Sequence, residues 1–329
     1  MHTLMSNEQK AIIDSTTAFQ SIVETDLLRA FRDVRLIGFG ENPHGVKEYF
    51  PIVRDVVKGL LSHGCKVLVL LEYEYWLNRS LDDHLHGRNG EFERHTFHDP
   101  DAGVFYGAGL RQFYHDLRTL TRSCPDRLSC RHVDFFMNPL NDERSEHARA
   151  VDQGKWDISR GIRQLLKENK PDQFAEAREQ FLFQESLDAY VAFQPDVTVM
   201  LAGSFHVSKQ GGCPFGDVFV KPVMARLAES INETPVSVRF AVLEGAYAKL
   251  ECRSGMISKV PANCREWGQQ DIQIEFKTSI DSLIGDSFVT ALAAVSVPKQ
   301  LLAAHAEWAA NWDYLVTLRH GTADMPLDD

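Results

Sequence analysis

The chain has 329 residues, 44% of them hydrophobic, with 35 Lys and Arg against 46 Asp and Glu, a formal net charge of -11. That length admits one large domain or two smaller ones with a sizeable core, a single continuous domain being preferred because no linker or repeat interrupts the sequence, and the acidic balance argues against nucleic acid or an anionic membrane surface as a partner. The amino end shows no basic segment leading into an apolar one and no run long enough to cross a bilayer, so a cytoplasmic location is the expectation.

Residues 7–32 carry an apolar stripe through Ile12, Ile13, Phe19, Ile22, Val23, Leu27, Leu28 and Phe31, which predicts a lead-in helix broken near residues 24–26. Residues 34–39 are uncharged apart from Arg35, as in a strand covered on both faces. They run into Gly40-Glu41-Asn42-Pro43-His44-Gly45, where the glycines permit positive φ, and Pro43 fixes its own backbone and extends Asn42. Glu41 and His44 therefore occupy a tightly specified turn at the carboxyl end of a strand, which is where open α/β sheets bind ligands. Val46, Phe50, Val53, Val57, Leu60 and Leu61 recur at helical spacing, so a helix over 46–61 would start by carrying Glu48 on the side of His44. A lone His and Glu at a helix start more often form a cap and a solvated acid. The strand end is what lifts Glu41 and His44 above that explanation.

After Ser62-His63-Gly64, residues 66–71 predict a second strand and hence a β-α-β unit, whose right-handed crossover puts Glu72 on the same sheet edge as Glu41 and His44. Glu74 either shares the side of Glu72 or is a flanking surface acid. A helix is predicted over 76–85, and His84 and His86 at its end read as exposed rather than as a metal tract. Residues 87–109 lack periodicity and read as a long loop bordering the pocket, with His95, His98 and Asp99 in it. A helix over 109–123 and a third strand over 131–136 follow, the latter carrying Asp134 as a turn cap or as a further acid at the sheet edge. Residues 141–190 predict two or three helices that form a lid or side wall over the cleft, or else an oligomer interface.

Residues 197–201 form the next predicted strand and end in Ala202-Gly203-Ser204-Phe205-His206-Val207. This repeats the earlier order of strand, glycine, loop and histidine, and suggests two related halves whose loops meet across one cleft. On its own, His206 also suits a hydrogen-bonded core histidine. Downstream the patterns predict a helix over 221–231, a strand over 236–243, a hairpin-like excursion over 246–260, a short strand over 272–276, a helix over 301–311 and a closing strand over 312–318. The six cysteines are dispersed without Cys-x-x-Cys spacing and read as mostly buried thiols.

Several chemistries lack their motifs. No Gly-x-Ser-x-Gly elbow is present. Gly38-Phe39-Gly40 begins a dinucleotide fingerprint but Pro43 stands at its third glycine, and Gly211-Gly212-Cys213-Pro214 is not followed by Gly-Lys-Ser/Thr. Glu41, His44, Glu72 and His206 remain, two carboxylates and two imidazoles at strand ends. In one mechanism His44 takes a proton from water, oriented by Glu41 or Glu72, while His206 and Arg54 stabilise negative charge on a carbonyl oxygen, with no cofactor required. In another, the same four residues hold a divalent metal that polarises the carbonyl or ionises water. Both act on a small-molecule substrate.

The segment Gly40-Glu41-Asn42-Pro43-His44-Gly45-Val46-Lys47-Glu48 resembles the Gly-Glu-x-x-His-Gly-x-x-Glu signature of the erythromycin esterase-like family. Glu72 and the segment ending in His206 recur in the expected order, and the stretch from Trp312 through Leu327 is similar to that family's carboxyl end. The wider superfamily includes haem-binding iron-uptake lipoproteins and Tiki-type metalloproteases. The resemblance implies an α/β core with His44 as general base, Glu41 and Glu72 as its polar partners, Arg54 as an anion or oxyanion contact, and His206 as a second catalytic imidazole. Asn42-Pro43 replaces the family's small-hydroxyl pair, and a glycine-rich turn follows His206, differences that bear on macrolide specificity rather than on fold. The expectation is a mostly parallel sheet flanked by helices, with two motif-related halves and a helical insertion over the cleft. The expected activity is hydrolysis of esters or lactones, or a related cyclisation or elimination, on a bulky secondary metabolite bound by Arg54, Glu48 and Glu74. The alternative is a metal- or haem-binding protein without turnover.

Overall fold

Strands made almost wholly of uncharged residues must be covered on both faces, and three of them set the centre of this molecule. The computed structural model describes residues 16–18, 27–88, 91–96, 107–135, 142–212, 218–253, 256–263, 287–291 and 310–325. In chain order the first elements are β1 (Thr16–Ala18), α1 (Leu27–Arg32), β2 (Leu36–Glu41), α2 (Tyr49–Ser62) and β3 (Val67–Glu74). A 3-10 turn (Tyr75–Leu77) leads to α3 (Asn78–Leu85), α4 (Glu91–Thr96), α5 (Ala108–Ser123) and β4 (Leu128–Asp134). Three helices follow, α6 (Asp142–Val151), α7 (Gln153–Lys167) and α8 (Pro171–Phe193), then β5 (Val197–Gly203) and α9 (Val223–Ile231). The described chain closes with β6 (Val236–Arg253), β7 (Met256–Asn263), β8 (Ser287–Ala291) and β9 (Tyr314–Gly321).

The strands lie in the order β1-β8-β9-β6-β2-β5-β3-β4, with β7 paired to β6 off this path. From β4 through β3, β5, β2 and β6 to β9 every pairing is parallel. The β8 and β1 edge and the β6–β7 hairpin are antiparallel. This is an α/β fold. β5 is buried at every position, whereas burial in β2 and β3 gives way at Glu41 and at Glu72. The register makes those ends coincide, since Glu41 pairs with Gly203 and Leu71 with Leu201. The acids therefore leave the core on one edge, beside the turn that follows β5.

Apolar side chains on the two faces pack into two layers. One centres on Phe39, Tyr49, Phe113 and Phe240, the other on Met200, Met224, Leu227 and Trp312. Tyr49 stacks on Phe240 at 4.3 Å, and its hydroxyl donates to the Asn42 carbonyl at 3.0 Å, which ties the loop after β2 to the first turn of α2. α8 supplies residues to both layers, Phe174 and Phe181 to one and Leu182 to the other.

Several sequence expectations shift. In place of a continuous helix over 7–32, the described parts are a short helix, α1, and a strand, β1, whose residues pair with Thr290, Val289 and Phe288. Two β-branched threonines suit an edge strand better than a helix. The stretch 87–109 contains a helix, α4, held by the fully buried Phe92, while 97–106, including His98 and Asp99, lies outside the described residues. β6 continues to Arg253 as the first arm of the hairpin with β7. The predicted strand over 272–276 and most of the helix over 301–311 lie outside the described residues. Cys65, Cys124 and Cys130 are free thiols, of which Cys130 is buried and the other two partly so. Among the described residues no helix is long and apolar enough to cross a membrane.

Candidate active site

The loop after β2 is shaped by close approach. A Cβ at Gly40 would lie 2.9 Å from the Ser204 Cα, so the loops after β2 and β5 touch there. Gly45 has φ +75°, and a Cβ on it would lie 2.7 Å from the Ala248 carbonyl oxygen. Only glycine meets both demands at low cost. The Gly45 carbonyl accepts the N–H groups of Ala248 and Asp324, each at 2.9 Å. Lys47 N–H donates to the Thr322 carbonyl at 3.1 Å, so the carboxyl-terminal segment straps the loop down.

On this loop Nδ1 of His44 lies 2.9 Å from Oε2 of Glu41. Glu41 is 11% exposed and His44 60% exposed at the side chain, yet protein surrounds the imidazole closely enough to desolvate it. Desolvation lowers its pKa, but the hydrogen bond and charge of Glu41, helped by Glu72, prevail and the pKa is raised above the ordinary 6.5. Gly203 makes room for this ring. A Cβ there would lie 2.8 Å from both Cε1 and Nε2 of His44 and 3.3 Å from Oε2 of Glu72.

Glu72 is the hub of a buried network. Its Oε2 accepts the Gly203 N–H, and its Oε1 lies 3.1 Å from Nε2 of His206 and also receives Nη2 of Arg178. Arg178 donates as well to Asp134, with Nη2 to Oδ2 at 2.6 Å and Nε to Oδ1 at 3.3 Å. His206 is paired through Nδ1 with Glu179, whose second oxygen accepts the Val223 N–H at 2.6 Å. Burial disfavours the Glu72 carboxylate, but the charges of His206 and Arg178 outweigh it and hold Glu72 well below the usual carboxylate range. Burial likewise opposes the His206 imidazolium, and Glu179 and Glu72 overcome it, pushing its pKa up to about 10. Asp134 moves the other way, because its desolvation exceeds the help of Arg178.

The structure thus brings Glu41, His44, Glu72 and His206 to one strand edge, in two linked pairs that flank Gly203. The other sequence candidates are engaged differently. Arg54 donates to Asp55 at 2.8 Å and to Asp116 at 3.2 Å, fastening α2 to α5, and no hydrogen bond joins it to the cluster. Glu48 precedes α2 rather than riding on it, so it does not share a helix face with His44, and its Oε2 accepts the Thr322 N–H at 2.9 Å. Glu74 accepts the Trp76 indole N–H at 2.9 Å.

The cation of the cluster is Arg178, which sequence reasoning missed along with Glu179. The signal was present. Arg178 stands four residues after Phe174 and three before Phe181, on the apolar face of α8, where a charge calls for a buried partner. A metal at the strand edge would have to share Glu72 with Arg178 and His206, both of which already put positive charge on it. Among the described residues the group that does bring three metal-ligand atoms within 4.8 Å of one another is His84, Glu93 and His115. His84, expected to be exposed, is 1% exposed, because α4 and α5 close over the face of α3 that also carries Leu81. His86 does remain exposed.

These features define an α/β protein with a carboxylate and imidazole cluster at the carboxyl edge of a parallel sheet. No family model matches the chain, and no curated protein sequence matches it. Its fold is that of the erythromycin esterase EreC. A mutant of that enzyme in its open conformation aligns over 94% of this chain and 96% of its own, with TM-score 0.63 and 15% identity. A Bacillus cereus protein aligns over 97% and 98% with TM-score 0.68 and 12% identity. A succinoglycan biosynthesis protein aligns over 99% and 100% with TM-score 0.67 and 13% identity. At such identities the likeness is one of fold.

Proposed function

We propose that the protein is an acid–base hydrolase of ester or lactone bonds in a bulky small molecule, with His44 as general base. The observation that carries this is the exposed imidazole of His44 bound through Nδ1 to the Glu41 carboxylate. With the Nδ1 proton donated to Glu41, Nε2 holds the lone pair and is the atom offered to a reactant. It takes a proton from water as the water oxygen attacks the carbonyl carbon, and the imidazolium then returns that proton to the departing alkoxide oxygen. Glu41 and Glu72 stabilise the imidazolium between the two steps. His206 has both ring nitrogens engaged and is held charged, so its part is to fix Glu72 together with Arg178 rather than to act as a second base. The fold shared with an erythromycin esterase supports hydrolysis. The contacts of Arg178 and His206 with Glu72 count against a metal- or haem-binding role for this cluster.

The test is purified protein and His44→Ala on a panel of esters and lactones, read by mass spectrometry. Wild type is expected to add the elements of water. Cyclisation leaves the mass unchanged and elimination removes a leaving group, so product mass separates these reactions. His44→Ala is expected to lose about 10²–10⁴-fold in rate with an unchanged circular dichroism spectrum and Tm. Retention of most of the wild-type rate removes His44 as the base.

A further inference from the structure

We infer that His84, Glu93 and His115 form a binding site for a first-row divalent metal ion, separate from the strand-edge cluster. The three residues come from α3, α4 and α5. Nε2 of His115 lies 3.2 Å from Oε1 of Glu93, and Nδ1 of His84 lies 3.9 Å from the same oxygen. The rings of His84 and His115 are 5.6 Å apart.

His84 supplies the second observation. Its side chain is 1% exposed, and among the described residues its Nε2 has no hydrogen-bond partner while its Nδ1 lies 3.9 Å from Glu93, beyond hydrogen-bonding reach. A neutral imidazole with its proton on Nε2 presents the Nδ1 lone pair toward Glu93, and a metal accepting that lone pair draws the three side chains together. Glu93 is pre-oriented for the task. Arg111 donates to its Oε2 at 2.9 Å, which leaves Oε1 directed at both histidines, in the way that an outer partner orients a metal-bound carboxylate. A tetrahedral ion with bonds of about 2.1 Å needs donor atoms about 3.4 Å apart. The His115–Glu93 separation already fits, and His84 needs to close by about half an ångström to reach it.

The donor set selects the ligand. Two imidazoles and one carboxylate suit Zn²⁺, Co²⁺ or Ni²⁺, whereas Ca²⁺ and Mg²⁺ require mostly oxygen donors. His115 is 41% exposed at the side chain, which provides the entry path and leaves room for water as a further ligand. With an ion bound, α3, α4 and α5 are clamped together.

The full chain is stripped with a chelator and titrated with Co²⁺, following its visible absorption, and in parallel loaded with Zn²⁺ and desalted for elemental analysis. The expected result is stoichiometric metal, a Co²⁺ spectrum of low-symmetry nitrogen and oxygen coordination, and a Tm that rises with Zn²⁺. Glu93→Gln and His115→Ala change partly exposed side chains and are expected to fold, as checked by circular dichroism, and to weaken binding about tenfold or more. His44→Ala is expected to bind as wild type does. Wild type that retains no metal overturns the proposal. So does affinity that survives both Glu93→Gln and His115→Ala, or that disappears in His44→Ala.

Discussion

Oε1 of Glu72 lies 3.1 Å from Nε2 of His206, joining the carboxyl end of β3 to the turn after β5. The contact links two titrations to folding in opposite senses. The imidazole is raised to about 10, so its contribution to stability is complete below its ordinary 6.5 and is lost as pH climbs toward 10. The carboxylate is lowered, so its contribution is complete above the ordinary 4.5 and is lost as pH falls through its folded value. Between pH 4.5 and 6.5 both are fully present. Calorimetry is expected to show Tm falling on the alkaline side of this window, and His206→Gln is expected to flatten that slope. An alkaline slope identical in the two proteins removes His206 as its source.

Arg178 holds Glu72 and Asp134 together, and both acids are largely buried. Its removal leaves Asp134 buried without its ion pair and Glu72 with His206 as its remaining cationic partner. Arg178→Ala is expected to cost about 3–5 kcal/mol in urea unfolding. Arg178→Lys should recover only part of this, because an ammonium lacks the planar fork that serves both acids at once. Full recovery by lysine would show that charge alone suffices.

Gly203 faces the ring of His44. Its backbone accepts alanine, but the new Cβ would stand 2.8 Å from Nε2, and the largely exposed ring is the part able to give way. Gly203→Ala is therefore expected to leave Tm nearly unchanged and to lower kcat/KM of the proposed reaction by about 10²-fold, the usual cost of a misplaced catalytic group. A variant of normal activity would mean that the ring position does not matter to turnover.

The pH dependence of activity follows from Glu41. A general base must be neutral, so kcat/KM is expected to rise with pH through a pKa above 6.5, since Glu41 and Glu72 raise that of His44 against its desolvation. Glu41→Gln removes the largest of the raising contributions and should move the inflection to lower pH. A pH–rate profile of both proteins measures this, and coincident inflections exclude the pairing as the cause.

Glu41, His44, Glu72 and His206 were legible in the primary structure, because each follows an uncharged run that ends in a glycine or an acid, and runs of that kind are buried parallel strands. Arg178 and Glu179 were harder to see. They lie in a helix rich in charge, where solvated residues and buried ones alternate every few positions, and the apolar spacing around Arg178 gains meaning only once the facing surface is known. His84 shows the same limit from the other side, since a histidine at the end of a helix reads as exposed until a second and a third helix cover it.

By itself the amino-acid sequence determined the strands, the glycine turns and the acids at their ends, because these depend on residues within a few positions of one another. Only the tertiary structure decided which cation meets Glu72 and which acid meets His206. Arg178 and Glu72 are 106 positions apart, and a pairing across that distance is chosen by the packing of α8 against the sheet and by the cost of burying either charge alone.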